Sequence, residues 1–315
     1  MKYIGTFREG DRVQDVYLCK HRQQAVSKNG KAYENVTLQD KSGTIDAKIW
    51  DPGSSGIGDF DSMDYVAVTG DVTLFQGSNQ LNIKRIRRAQ EGEYDPGNYV
   101  PVTEKNRDQM YEELMAILDT VQNSYLKELI GKYFGEENFA RRFKQHSAAK
   151  TVHHSFVGGL LEHTLSVVKL CDFFVGLHPY LKRDLLLTAA AFHDAGKLWE
   201  LSDFPENDYT DNGQLLGHIM IGYEMIGYAC RSIKGFPKKT AAELQHCILA
   251  HHGELEYGSP KKPSIPEALA LYLADNADAK LETMREIIKQ AGSNNGWLGY
   301  NKLFESNLRK SSELT

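Results

Sequence analysis

The chain has 315 residues, enough for two domains, with 41% hydrophobic and 25% charged residues and a formal net charge of −5. That composition is ordinary for a soluble globular protein and carries no general nucleic-acid signature, so any nucleic-acid binding must rest on local patches. No apolar run is long enough to cross a bilayer. Met1 to Gly5 lack the features of a signal peptide, and Cys19, Cys171, Cys230 and Cys247 form no CxxC pair, which is the pattern of free thiols in a reducing cytoplasm without membrane contact.

Residues 1–90 read as β-rich. Asp15 to Cys19 alternates at strand period, and Lys28-Asn29-Gly30 offers an Asn-Gly turn between extended arms. Tyr33 to Asp40, Thr44 to Trp50, Tyr65 to Phe75 (with a kink at Gly70) and Gln80 to Arg87 supply further strands, separated by tight turns. Five short strands in this span predict a small closed barrel. The series Val36 to Gly43 followed by Ile45 to Trp50 resembles the OB-fold of nucleic-acid-binding domains.

A single-strand surface can be drawn on that barrel. Lys28, Lys31, Tyr33, Lys48 and Trp50, with Phe75, Lys84, Arg85, Arg87 and Arg88, mix aromatic faces for bases with cations for phosphates. Taken singly, Trp50 and Phe75 read as barrel core and the charges as a solvated face. Taken together, and by analogy of fold, they point to single-stranded nucleic acid, with Tyr33, Lys48, Trp50 and Arg85 as the contacts.

Residues 91–103 are polar and rich in Gly and Pro, a linker. From 104 to 315 the period becomes helical, and the second domain is expected to be wholly α-helical. Helices are expected over Glu104 to Val121, Ser124 to Phe134, Glu136 to Arg142, Ser155 to Val175, Arg183 to Leu198, Leu215 to Ile233 and Thr240 to His252. A last one starts at Ser264-Ile265-Pro266-Glu267, with Ser264 as cap and Pro266 at the first helical position, and runs to about Gln290. The aromatic tail from Trp297 to Phe304 is expected to dock on the body.

The chemistry gathers around Ala191-Phe192-His193-Asp194-Ala195-Gly196-Lys197. A His beside an Asp at the end of an apolar helix is costly unless something satisfies both, and a divalent cation does so. Neighbouring helical side chains point about 100° apart, so the pair can grip an ion from two sides. Gly196 is expected to release the chain from the helix. His163, His218, His251, His252 and Asp275 provide further donors. Nitrogen and oxygen donors without thiolate suit Mn, Fe, Co, Ni or Zn rather than a structural zinc knot. Any one of these residues alone reads as a satisfied core group; their joint order does not.

The order His163, His193-Asp194, Asp275 resembles the HD phosphohydrolase superfamily, and His218 with His251-His252 resembles its two-metal members. Asp194 would then bridge two ions and, with Lys197, form the catalytic pair. Lys197 is read either as a phosphate contact or proton donor, or as a solvated cation at a helix end. Lys150, His153 and His154 are read either as substrate-phosphate contacts or as an exposed helix face, and Asp278 and His246 as supporting groups. The barrel, the segment Gly158-Gly159-Leu160-Leu161-Glu162-His163-Thr164, Lys150 to His154 and the aromatic tail together resemble the YhaM-type 3′–5′ exoribonucleases of Gram-positive bacteria over nearly the whole chain. The resemblance implies removal of nucleoside 5′-monophosphates from single-stranded RNA, with single-stranded DNA as a further substrate. It implies Mn2+ as the cofactor, as one or two ions, with Co2+, Fe2+, Ni2+ or Mg2+ as alternatives; a homo-oligomer is left open. Two other functions fit the same motifs: a nucleotide or cyclic-nucleotide phosphohydrolase, and a non-catalytic replication factor that binds nucleic acid.

Overall fold

The computed structural model describes residues 1–27, 30–75, 77–150, 154–291 and 296–312. The fold divides into two compact units, Met1–Val102 with Phe204–Glu206, and Thr103–Asp203 with Asn207–Thr315.

The first unit is a closed five-stranded barrel in the order β1-β2-β3-β5-β4, the Greek-key arrangement of the OB-fold. Its strands are β1 (Arg12–Val26), β2 (Ala32–Asp40), β3 (Gly43–Ile49), β4 (Tyr65–Phe75) and β5 (Ser78–Arg88). β1 closes the barrel because it serves two neighbours. Arg12 to Leu18 pairs with β4, Leu18 to Val26 pairs with β2, and a bulge between Cys19 and His21 bends the strand from one to the other. β3 and β5 join in parallel through Asp46–Gln80 to Lys48–Asn82. Strict alternation along β2 turns Val36 and Leu38 inward, where they meet Val13, Ile45, Val68 and Leu81. Glu34 is on the same inward side, and it is tolerated because Arg22 binds both its oxygens at 2.9 Å while its guanidinium lies 4.1 Å over the Phe60 ring. The Gly70 kink is a register shift between Thr69 and Gly70, where a Cβ would lie 2.4 Å from the Asn82 carbonyl oxygen. Lys28 and Asn29 of the expected first turn lie outside the described residues.

The second unit holds helices α1 (Arg107–Leu118), α2 (Ser124–Phe134), α3 (Glu137–Gln145), α4 (Gly159–Leu177), α5 (Arg183–Phe192), α6 (Lys197–Glu200), α7 (Asp211–Ser232), α8 (Lys238–Ala250) and α9 (Pro266–Gln290). Their apolar faces share one core, with Phe134, Phe143 and Phe192 at its aromatic centre.

Three expectations are corrected. The helix read as Arg183 to Leu198 is two, because the chain turns between Phe192 and Lys197. Ile265 rather than Ser264 caps α9; the Ser264 hydroxyl donates to the Lys262 carbonyl and Pro266 keeps the first helical position. The tail is not helical: β6 (Trp297–Asn301) and β7 (Ser306–Arg309) form a hairpin that meets the body through Leu303 in its turn, while Trp297 and Tyr300 are exposed. Its strands are too short, and Gly299 too disruptive, to show alternation in the sequence.

Candidate metal centre and nucleic-acid face

Five helices deliver the site. α4 presents His163, and α9 presents Asp275 and Asp278. His193 follows the end of α5, His251 follows the end of α8, and His218 lies on α7 directly after a kink at Gly217, whose φ is +72°. Asp194 is 2% exposed and stands at the centre.

Its two oxygens face two separate groups. Around Oδ2, His163 Nε2 lies at 3.4 Å and His193 Nε2 at 3.5 Å, while Asp275 Oδ1 is 3.1 Å from His163 Nε2 and 3.9 Å from His193 Nε2. Around Oδ1, His218 Nε2 lies at 3.5 Å and His251 Nε2 at 3.6 Å. Donor atoms of His218, His251 and His252 lie within 4.8 Å of one another. Ligand bonds of about 2.1 Å place neighbouring donors roughly 3.0–3.4 Å apart around a tetrahedral or octahedral ion, so most of these separations are close to what one ion spans.

The far side of each ring is already committed. His193 Nδ1 donates to the Ala190 carbonyl and His251 Nδ1 to the Ile248 carbonyl, each at 2.7 Å, and His252 Nδ1 donates to the Tyr257 carbonyl at 2.9 Å. A carbonyl can only accept, so Nδ1 carries the hydrogen and a neutral ring has its lone pair on Nε2. His163 Nδ1 is held by Asp278 at 2.7 Å and His218 Nδ1 by Glu200 at 2.9 Å. Carboxylate or carbonyl support of this kind orients a metal-binding imidazole. Among the described residues, Asp194 Oδ1, His218 Nε2 and His251 Nε2 are buried with no hydrogen-bond partner, and such orphans in a convergent group fit a cation. The His and Asp clusters can therefore hold a metal.

The charges agree. Burial pushes His193 down to about 4, and burial with the neighbouring His251 pushes His252 down to about 3, so both rings are neutral donors at physiological pH. Burial opposes a charge on His163, but hydrogen bonds to Asp275 and Asp278 outweigh it and raise the ring to about 10; the field that holds a proton there also favours a metal cation. Burial opposes the charge on Asp194 too, yet Lys197 and the surrounding imidazoles keep its carboxyl well below the usual carboxylate range.

Lys197 is not a solvated cation. Its ammonium is 2.6 Å from Asp194 Oδ2 and its side chain is 16% exposed. Gly196 does not end a helix in the left-handed region either, since its φ is −59°. A Cβ there would lie 2.1 Å from the His218 carbonyl oxygen, so the glycine lets α7 approach closely enough to bring His218 to Asp194.

The expected phosphate contacts divide. His154 is buried, with Nε2 at 3.1 Å from Asp278, so it backs the carboxylate that orients His163 and does not face a substrate. Lys150 is exposed, pairs with Asp208 and lies over the Tyr209 ring. His153 lies outside the described residues. His246 is structural: its Nε2 accepts from the Ser264 amide. Sequence reasoning missed Glu200, which is distant in sequence from the ring it holds, and a cavity of about 380 Å³ over the site.

On the barrel, Tyr33 and Trp50 stack at 5.3 Å between centroids, Lys48 Nζ lies 5.1 Å over the Tyr33 ring, and the Trp50 indole donates to Asn82 at 2.9 Å. The reading of Trp50 and Phe75 as core is overturned: they are 55% and 56% exposed, because each stands where its strand leaves the closed barrel. Arg85 lines, with Lys84 and Arg87, a separate groove of about 1120 Å³ to which Tyr33, Lys48 and Trp50 do not contribute. Lys84 and Arg87 are paired with Asp71 and Glu93, and Arg88 with Asp64.

The family comparison agrees with the geometry of the metal centre. Residues 160–280 match the HD domain family, the span that holds all the buried His and Asp donors named above. Over the barrel, the second OB-fold domain of replication protein A from Methanococcus maripaludis is 14% identical, covering 29% of this chain and 96% of that one with a TM-score of 0.24. A mitochondrial single-stranded DNA binding protein from S. cerevisiae is 12% identical, covering 27% and 100%, with a TM-score of 0.21. No helix among the described residues is long and apolar enough to cross a membrane. The 3′–5′ exoribonuclease YhaM of Geobacillus sp. (strain WCH70) is 34% identical over 290 residues, 92% of this chain and 89% of that one. The chain belongs to the YhaM family of 3′–5′ exoribonucleases, hydrolytic nucleases with an HD domain.

Proposed function

We propose that this protein shortens single-stranded RNA from its 3′ end, releasing nucleoside 5′-monophosphates, with divalent cations, Mn2+ foremost, as cofactors. His163, His193, Asp275 and Asp194 Oδ2 would hold one ion, and His218, His251, His252 and Asp194 Oδ1 a second. When bound, such ions acidify water and neutralise the charge that develops on a phosphodiester in hydrolysis. The observation that carries this reading is the shared orientation of the rings, with Nδ1 hydrogens spent on carbonyls or carboxylates and Nε2 atoms turned to the two oxygens of one buried aspartate.

The chain's own residues do the remaining work. Lys197 lines the cavity beside Asp194 and places a positive charge where a scissile phosphate would sit. Asp278, seated on His154 and Ser166, fixes the His163 ring. The Tyr33–Trp50 stack with Lys48 offers a base-stacking platform and a cation on the barrel, the combination that holds single strands without sequence preference.

The test uses 5′-labelled single-stranded RNA. The protein with Mn2+ should yield a ladder of shortened 5′ fragments, and chelation should stop it. His193→Ala and Asp194→Ala should each abolish shortening while leaving the helical circular dichroism intact. Undiminished digestion by both variants refutes the site.

A further inference from the structure

The cavity of about 380 Å³ above Asp194 has walls that the hydrolytic chemistry does not require. We propose that it seats the terminal nucleotide of the strand, with the Tyr272 ring as the stacking wall for the base and Lys280 as the contact for a backbone phosphate. The proposal rests on the nuclease reading above and adds where and how the end of the chain is gripped.

Size comes first. Small-ligand sites run from about 300 to 1,000 Å³, so this cavity suits a ligand of one nucleotide's scale rather than a run of several. Its floor is the reaction site, since His163, Asp194 and Asp275 line it. Tyr272 precedes Asp275 by three positions on α9 and Lys280 follows Tyr272 by eight, so one helix face carries ligand, ring and ammonium together.

The Tyr272 ring is held in place. Gly253, directly after the His251-His252 pair, has φ +78°, and a Cβ on it would lie 2.3 Å from two carbons of that ring. The ring therefore rests against the backbone of the loop that carries the histidines, and its position is tied to theirs. Leu303, from the turn between β6 and β7, adds an apolar wall to the same cavity. A phenol ring and an aliphatic side chain accept the face of any base and read none of its edges, which is what stepwise removal of all four nucleotides demands. Lys280 is half-buried and makes no ion pair among the described residues, whereas Lys144, Lys150 and Lys262 are each paired with a carboxylate. A half-buried ammonium in no ion pair among the described residues, at a nucleotide-sized cavity, fits a phosphate.

The experiment uses the full chain and a short RNA bearing 2-aminopurine at its 3′ terminus, in chelator so that the strand stays whole. The wild type should quench the terminal fluorophore, and an RNA labelled at its 5′ end should not be quenched. Tyr272→Ala should lose the quench and raise KM for RNA about ten-fold or more with a smaller change in kcat, while Tyr272→Phe should retain both. Gly253→Ala should behave like Tyr272→Ala although the ring is present. Leu303→Ser, at a half-exposed hairpin turn, should weaken the quench without unfolding and covers the case in which Tyr272→Ala is unstable. Unaltered quench and KM in Tyr272→Ala and Leu303→Ser, in a protein whose wild type digests RNA, overturn the proposal and leave the nuclease reading standing. A wild type that digests no RNA in Mn2+ removes that reading instead.

Discussion

Gly196→Ala separates two explanations of the glycine in the His-Asp-Ala-Gly-Lys segment by the sign of one number. With φ −59° and ψ −23° the backbone there is one that alanine adopts freely. If conformation alone mattered, alanine would stabilise the protein by about 0.4–1 kcal/mol, through a less disordered unfolded chain. The packing says the opposite. A Cβ would lie 2.1 Å from the His218 carbonyl oxygen and 2.9 Å from both the His218 carbonyl carbon and the Gly222 nitrogen, all backbone atoms of α7. None can rotate away, so α7 must retreat by roughly an ångström to restore ordinary contact, a strain at or above the about 1–3 kcal/mol of an overpacked core. At roughly 2–4 °C per kcal/mol for a unit of this size, the melting temperature should fall by about 2–12 °C. The retreat also carries His218 away from Asp194 Oδ1, now 3.5 Å distant. Calorimetry should therefore show a lower Tm, and Mn2+ titration should show the second ion weakened more than the first. A Tm equal to or above that of the wild type refutes the close-approach argument.

Two further outcomes follow from single contacts. Glu200→Ala removes the carboxylate oxygen that accepts from both the His218 amide and His218 Nδ1 at 2.9 Å, so affinity for one of two ions should drop about 10–100-fold by electron paramagnetic resonance titration with Mn2+; two unchanged affinities would show that the His218 ring needs no such support. Trp50→Ala should cost about 1–3 kcal/mol of RNA affinity in fluorescence anisotropy, with stability within about 0.5 kcal/mol of the wild type because the ring is largely exposed, and hydrolysis of a dinucleotide should be untouched. Equal RNA affinity in Trp50→Ala would mean that the strand does not use the Tyr33–Trp50 face.

What the sequence made legible was local. Alternation marked the barrel strands, including the kink at Gly70, and the helical period marked α2 to the residue. The donors were legible too, because His and Asp in apolar helices are improbable without a partner. The misses share a cause. Glu200 meets a ring 18 residues away, Gly196 is set by the backbone of α7, and Tyr272 by Gly253; no local period encodes such pairings. Taken singly, Trp50 and Phe75 read as core because an aromatic is most often buried, while position at a strand end decides otherwise. For Lys197 the sequence left a site contact and a solvated helix-end cation both open, and only the 2.6 Å contact with Asp194 decides against the solvated one.

The same device recurs on both sides of Asp194. α5 and α8 end at the site, and each hands over to a histidine whose Nδ1 hydrogen satisfies a carbonyl of its own last turn, Ala190 for His193 and Ile248 for His251. The last four carbonyls of any helix lack intrahelical partners, so this bond costs no other interaction. It fixes the tautomer and aims Nε2 beyond the helix end, and the next residue, Asp194 or His252, adds a second donor to the same space. Two helix ends thereby supply four of the donors with their orientation built in. Of the remaining three, His163 and Asp275 come from helix interiors and His218 from just after the Gly217 kink, and for both histidines a carboxylate, Asp278 or Glu200, does what a backbone carbonyl does for the others. For His163 the split has a simple reason: a ring in mid-helix finds the backbone carbonyls around it already bonded, and must be oriented from another element. At His218 the Gly217 kink interrupts the ladder, and Glu200 accepts from both the amide and the ring.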